Sequence, residues 1–394
     1  MAKNNFENQK MRTFLPGDEV AINALYKLIT GIERSPEEFS WEWIDTWDGQ
    51  GSMWLAFDRI QKPGDRLIMQ YSLIPTPLSF WGEHYLAGKT ENCMCHPEYR
   101  SSGRYFPHEK NCFKEAQKRF QVFFTTAGNV SNGAAGAIRR KLGYIAFDSW
   151  INYFYCANSA ALKIWLKSKL AKRVGSMGGL TNILIVAVSK IMAAYCSFYC
   201  RNQETNNIKV IGENLAPLEE IETLWKNNMT IYGVSVDRTR RYLDWRINQN
   251  PYVYHEYLLY YTNSKLVGYI IFYCNKGTVC IVDLLSENGD IGLMKDMVRF
   301  LVNYLYKKDL FIITTSATKN TKLLKKAFSS CGFLNDSILS SIIMCFKPSK
   351  KNPFHVFISK ELISKYHSQG HNVMLPQNWY ISEIVKEGII ASRS

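Results

Sequence analysis

At 394 residues the chain is too long for one ordinary core, so two domains are expected, each able to bury a core without disulfide or metal staples. Apolar residues at 46% and charged residues at 21% exclude wholesale disorder. The least ordinary number is the charge, 48 basic against 34 acidic residues for a net +14, which directs attention to an anionic partner: nucleic acid, a membrane surface or a phosphorylated coenzyme.

Along the chain, Met1 to Lys10 is polar and lacks the apolar core of a secretory signal, so a cytoplasmic protein is expected. A helix-like stretch closes at Trp41-Glu-Trp-Ile-Asp-Thr-Trp47. Alternation and β-branched content then predict strands at Met53–Asp58, Arg66–Leu73, Leu78–Trp81, Tyr85–Cys95 and Val122–Thr126. Helices are expected at Pro107–Phe120 and Ser131–Leu142, the second stopped by Gly143. The fold class is therefore α/β in the α+β sense, a mixed sheet with helices packed on it. Ten cysteines are scattered without a C-x-x-C pair and read as reduced thiols. Cys93, Cys95 and His96 lack a fourth ligand at zinc spacing, so no metal is expected.

Between Asp148 and Glu204 there is no acidic residue, yet Lys163, Lys167, Lys169, Lys172, Arg173, Lys190 and Arg201 lie there. Leu162, Trp165, Leu166 and Leu170 fall at helical spacing opposite the lysines, the pattern of a basic amphipathic helix. After a break at Gly175, Gly178 and Gly179, an apolar run from Ile183 to Cys200 carries Ser189 and Lys190 and falls short of the roughly twenty clean residues of a bilayer span. A packed or interfacial helix is expected. Residues 161–200 are read either as a bridge between domains with a solvated lysine face or as a peripheral contact with the inner membrane face.

The second half repeats the first. Trp41–Trp47 matches Trp245-Arg-Ile-Asn-Gln-Asn-Pro251 at an offset of 204, and Gly64-Asp-Arg-Leu-Ile-Met-Gln-Tyr71 lies against Gly268-Tyr-Ile-Ile-Phe-Tyr-Cys-Asn275. Further on, Phe124-Thr-Thr-Ala to Leu142-Gly-Tyr aligns without gaps to Ile313-Thr-Thr-Ser to Cys331-Gly-Phe. The expected organisation is a first domain over 1–158, a helical basic linker over 159–205 and a second, degenerate copy over 206–394.

The segment Glu91–Phe106 reads as a strand, a turn with His96-Pro97, the loop Arg100-Ser-Ser-Gly-Arg-Tyr105 and a helix. Such a unit aims backbone N–H groups and a helix N-terminus at one point, a ready site for a pyrophosphate. With the Asn-containing turn Gly128–Asn132 and the helix ending in Leu142-Gly-Tyr, this order resembles the GCN5-related N-acetyltransferase (GNAT) superfamily, whose R/Q-x-x-G-x-G/A loop holds the pyrophosphate of acetyl-coenzyme A. The likeness covers Met11 to about Phe147 and, more weakly, Ile208 to Ile390; two copies joined by a helical linker resemble the tandem bacterial members.

The resemblance implies that the amides from Ser101, Ser102, Gly103, Arg104 and Tyr105 grip the pyrophosphate, with Arg100 opening the loop. It also implies that Cys93 to Cys95 run beside the pantetheine arm, and that Asn129 or Asn132 bonds its amides. For both asparagines ordinary turn and cap chemistry stands as the other reading. Two departures matter: the loop's last small residue is Tyr105, and the position of the family's acid tyrosine is Arg139, so the acid is left unassigned or replaced by Arg139 as a charge for the departing thiolate. Period-two parity places Glu91 on the face of Cys93 and Cys95, where it is a candidate base for the acceptor amine, or else an exposed strand residue. No His/Asp pair accompanies the cysteines, so direct transfer is preferred over an acyl-cysteine. In the second copy, Ser286-Glu-Asn-Gly-Asp-Ile-Gly292 is acidic where a phosphate would lie.

The expected function is transfer of an acyl group, with acetyl-coenzyme A as donor, to a small-molecule amine such as an amino sugar. Two other classes stay open: a Fem-like transferase fed by aminoacyl-tRNA, and a non-enzymatic membrane-surface protein. The basic stretch lacks the patterns of nucleic-acid readers, and no nucleic-acid partner is expected.

Overall fold

The computed structural model describes residues 9–58, 66–126, 134–174, 179–199, 207–308, 312–335 and 353–386. In the first half these form β1 (Gln9–Thr13), α1 (Glu19–Thr30), α2 (Pro36–Phe39), β2 (Ser52–Asp58), β3 (Arg66–Phe80), β4 (Glu83–Cys95), α3 (Tyr105–Ala116), β5 (Val122–Thr125), α4 (Ala134–Lys141) and β6 (Ile145–Tyr155). Two helices follow, α5 (Ser159–Val174) and α6 (Gly179–Tyr199). The second half contains β7 (Ile208–Gly212), α7 (Leu218–Asn228), β8 (Val234–Val236), α8 (Arg240–Leu243), β9 (His255–Thr262), β10 (Lys265–Asn275), β11 (Thr278–Ser286) and α9 (Ile291–Lys307). It closes with β12 (Ile312–Thr318), α10 (Lys322–Ser330), β13 (Leu334–Asn335), β14 (Pro353–Ile358), α11 (Lys360–Ser368) and β15 (Trp379–Tyr380).

The repeat is built into local structure. Ser35 and Thr239, each at a helix N-cap, accept from the backbone N–H three residues on and start α2 and α8. Each short helix then widens into a π-turn, Ser40–Ile44 and Asp244–Asn248. Trp41 and Trp245 meet across this pseudo-twofold: each indole Nε1 donates to the other's carbonyl, at 2.8 and 2.9 Å, and the rings stack at 5.3 Å.

One mixed sheet runs β1-β2-β3-β4-β5-β14-β6-β12-β11-β10-β9-β7. The halves exchange strands. β14, from the C-terminal half, lies between β5 and β6, pairing His355 with Thr125 and with Ala146. β6 pairs through Ile145–Ser149 with β14, and through Trp150–Tyr155 with β12. The largest buried cluster accordingly spans both halves, from Phe14 and Trp43 through Tyr153 to Met297 and Ile384.

Two strands expected in the first half, Arg66–Leu73 and Leu78–Trp81, are one strand, β3. Pro75 and Pro77 interrupt the sequence pattern but not the strand, because their nitrogens face the gap between β2 and β8, where no ladder donor is needed. Their carbonyls point the same way and accept from Trp47 Nε1 (2.7 Å) and from the Asp237 amide (2.9 Å). Asn129 and Asn132 lie outside the described residues, as do the side chains of Ser101, Ser102, Lys169, Lys172 and Arg173.

Candidate functional site

The first crevice opens where β4 leaves β5. Among the described residues the two strands pair in parallel at Ala87, Gly88 and Lys89 against Val122, Phe123 and Phe124. From Thr90 to Cys95, β4 has no strand beside it on that side among the described residues, so that stretch makes no ladder bonds there. At this point β4 also bulges: the register with β3 shifts between Glu91, opposite Ser72, and Met94, opposite Gln70, and Asn92 takes a left-handed φ of 45°. Asn tolerates that conformation better than any neighbour in the strand.

The bulge corrects the parity expectation, because one extra residue reverses the alternation. Glu91 faces α1 and the Ser40–Ile44 turn, whereas Cys93 and Cys95 face α3. On the first face Glu91 forms a buried ion pair with Lys89, at 2.8 Å. Beside it Glu42 accepts from Arg34 (2.6 Å) and from Asn92 Nδ2 (3.3 Å), while Arg34 Nε donates to Asn23. Burial raises the Glu42 carboxyl above its ordinary range; Arg34 opposes this and Glu91 adds to it. Four charged groups are thus held out of water at the end of the splayed strand.

On the other face Cys93 lies among Tyr71, Tyr105, Tyr144 and Arg139. Arg139, on α4, is ion-paired with buried Glu109 of α3 and stands 5.5 Å from the Tyr144 ring centroid. Its charge is compensated before any thiolate arrives. Burial, more than any neighbour, pushes the phenols of Tyr71, Tyr105 and Tyr144 upward, so all three stay protonated. His355 reaches the same region from β14; burial and then Arg139 lower its imidazole. Tyr71, Tyr144 and His355 escaped the sequence reading, and Tyr105 entered it only through its backbone amide. Tyr144 had a signal in the Leu-Gly-Tyr ending, but His355 arrives by strand exchange and had none.

The connection from β4 to α3 is tighter than expected. Pro97–Ser102 forms a 3₁₀ helix, entered at buried His96 and ended by Gly103 at a left-handed φ of 71°. Ser101 and Ser102 lie within this helix, and the next amides ahead of an intrahelical bond are those of the first turn of α3, Tyr105 and Phe106, where Pro107 has no N–H to satisfy. Nothing would approach a Cβ on Gly103 within 4 Å, so that turn faces open space. Arg100 folds back, Nε donating to the Cys95 carbonyl at 3.2 Å, and Arg104 stands at the α3 N-cap without a side-chain cap bond. Tyr105 turns inward against Met69, Cys95 and Tyr99, its hydroxyl 3.4 Å from the Gln70 carbonyl, and does not obstruct the turn.

The second crevice, between β11 and β12, has the same frame and a different content. Among the described residues its strands pair at Thr278–Cys280, and β11 bulges at Val282. The segment Tyr380–Val385 crosses the gap: Ser382 bridges to Ala317, the Thr318 amide donates to the Ile381 carbonyl and Tyr380 OH to the Leu284 carbonyl. At the helix start Asp290 accepts from the Gly292 (2.6 Å) and Leu293 (3.3 Å) amides, so the α9 N-terminus already holds a carboxylate.

No protein-family model and no curated protein matches the sequence. Solved structures match the fold. A conserved Enterococcus faecalis protein described as a probable N-acyltransferase superposes with a TM-score of 0.60 at 13% identity, over 91% of this chain and 74% of that one. A GCN5-related N-acetyltransferase from Anabaena variabilis gives 0.54 at 10% identity, over 89% and 72%. A tandem GNAT protein from the clavulanic acid biosynthesis pathway gives 0.50 at 10% identity, over 89% and 98%. Splayed strands, bulge, helix-start turn and these superpositions agree that the chain has the fold of the GCN5-related N-acetyltransferases.

Proposed function

We propose that the protein is an acyl-coenzyme A-dependent N-acyltransferase, with its donor site in the first half. The observation that carries this reading is the contrast between the crevices: one runs from an unpaired strand edge to a helix start with Arg100 and Arg104, the other is filled by the chain's own Tyr380–Val385 and Asp290. The pantetheine arm would bond the β4 edge near Cys93 and Cys95, and the pyrophosphate the turn from Gly103 to Phe106. In the reaction the acceptor amine attacks the thioester carbonyl, the C–N bond forms and the C–S bond breaks. The ammonium proton passes to Glu91, which the ion pair with Lys89 holds in place at the end of the splayed strand. Tyr105 or Tyr144 supplies the proton to the thiolate, and Arg139 positions them rather than acting itself. Acetyl-coenzyme A and a small amine, with an amino sugar as the model acceptor, are the substrates of choice; the second half has given up donor binding and shapes the acceptor side.

Thermal melting tests it. Acetyl-coenzyme A at a hundredfold excess over its dissociation constant stabilises the protein by about 2.7 kcal/mol. Gly103→Glu, which sets a carboxylate at the turn, removes that shift, whereas Asp290→Asn keeps it. Glu91→Gln binds donor but loses turnover on a thiol-release assay. Absence of any shift in the wild type at saturating coenzyme overturns the proposal.

A further inference from the structure

The acid-free stretch is untouched by this reading, and its geometry is unusual. α6 is apolar nearly all round, and the Asn182–Tyr199 portion is long and apolar enough to cross a membrane by length and composition. Among the described residues only one face packs against the rest of the chain. Ile185, Val188, Met192, Ala193 and Cys196 are buried; Tyr155 OH donates to the Cys196 carbonyl at 3.1 Å, and the Tyr199 side chain packs on Gly332 so closely that a Cβ there would come within 2.9 Å of the Tyr199 Cβ. The opposite face presents Ile183 at 68%, Ile191 at 67% and Phe198 at 71% exposure, with Leu184 and Tyr195 beside them. These positions share one side of the helix, and α5, packed alongside, adds Ile164 at 70%. Contiguous apolar stripes of this kind are rare on a free surface.

A helix fixed along one side to β6 and α5 cannot be surrounded by lipid, which rules out a span. Its cover must also meet Lys163, Lys167 and Lys190, on a segment with no carboxylate from residue 149 to 203. A second copy of this chain would bring lysines against lysines with nothing in the segment to compensate them. An anionic lipid surface compensates them and takes up the apolar stripe together. We propose that α5 and α6 form an interfacial membrane-docking face, α6 lying in the headgroup boundary with Ile183, Ile191 and Phe198 inserted and the lysines on acidic headgroups. The inference is independent of the coenzyme reading.

Vesicle flotation of the full chain decides it. The wild type is expected to float with phosphatidylcholine vesicles containing phosphatidylglycerol, weakly with phosphatidylcholine alone, and less as salt is raised. Lys163→Ala and Lys167→Ala each lower partitioning roughly fivefold, and Phe198→Glu abolishes flotation. These side chains are exposed or at the rim, so melting midpoints and the coenzyme-induced shift of all variants match the wild type. A wild type that stays at the bottom of the gradient with acidic vesicles overturns the proposal, as does flotation indifferent to Phe198→Glu. A dimer that Phe198→Glu dissociates, without flotation, assigns the face to a second copy and equally overturns it.

Discussion

Arg34 and Arg238 stand at the same offset as the paired tryptophans, each just before a capped short helix, and each is buried against a carboxylate. The carboxylates come from different places. Arg34 takes Glu42 from the π-turn, leaving β4 free to carry Asn92 in its bulge and Glu91 with Lys89. Arg238 takes Asp283 from β11 itself, Nε and Nη2 donating at 2.7 and 2.9 Å, while the residue standing where Glu42 stands in the first half is Arg246. Arg246 then donates to the Ile384 and Lys386 carbonyls, and Asp283 also accepts from Ser382. Moving one carboxylate from turn to strand thus changes what a splayed sheet holds: a charged site at its end in one half, the chain's own C-terminal segment in the other.

The largest expected effect tests that relocation. Arg238→Ala leaves Asp283 fully buried with two hydroxyl donors, Tyr269 and Ser382, and no cation; such breaks cost about 3–5 kcal/mol. Arg34→Ala should cost less, because Glu42, already raised by burial, takes up a proton when its partner goes. Urea melts of both variants read the difference directly. Equal losses would break the comparison and make the two arginines interchangeable supports.

Much of this frame was legible in the sequence and some of it was not. The tryptophan segments at one offset announced the repeat, because a large apolar residue at a pseudo-axis has few substitutes. The helix-start turn after His96-Pro97 was legible from its glycine and its place between strand and helix. The face of Glu91 was misread, since parity assumes an unbroken ladder and a single αL asparagine reverses it. Pro75 and Pro77 split β3 on paper because a sequence does not show on which side a missing N–H falls. The exchange of β6 and β14 is a matter of distant pairing, and neither strand's composition differs from that of a strand kept at home.

Acid should distinguish the halves next. Burial lowers the His108 imidazole on α3 to about 4, whereas the fourth residue of α9, its counterpart, is Met294. His96 and His355, also around the first crevice, are lowered chiefly by burial. For His108 the unfolded chain binds a proton below about 6.5 and the folded one only below about 4, so stability is complete above pH 6.5 and falls across that window. The loss reaches about 3 kcal/mol for His108 alone. Melts from pH 7.5 to 4.5 should show a decline that His108→Gln flattens; an unchanged slope would mean that the second half governs the acid response.

The smallest effect tests how firmly the second crevice is closed. Ser382 Oγ donates to Asp283 Oδ1 at 2.7 Å, joining the C-terminal segment to the same carboxylate that neutralises Arg238. Ser382→Ala removes one charge-assisted bond but leaves Asp283 its arginine and Tyr269, so the loss should stay near 1.5 kcal/mol. Because the lost bond is local, segment opening should increase by about tenfold, while the coenzyme-induced shift stays the same. Lys386, at the end of the described segment, is held by Glu383 at 3.3 Å and lies 4.6 Å from the Trp150 ring centroid, which makes tryptic cleavage after it a reporter of that opening. Faster cleavage with an intact coenzyme shift would show that the two crevices operate separately; a coenzyme shift that weakens in step with cleavage would show that closing the second crevice supports the first.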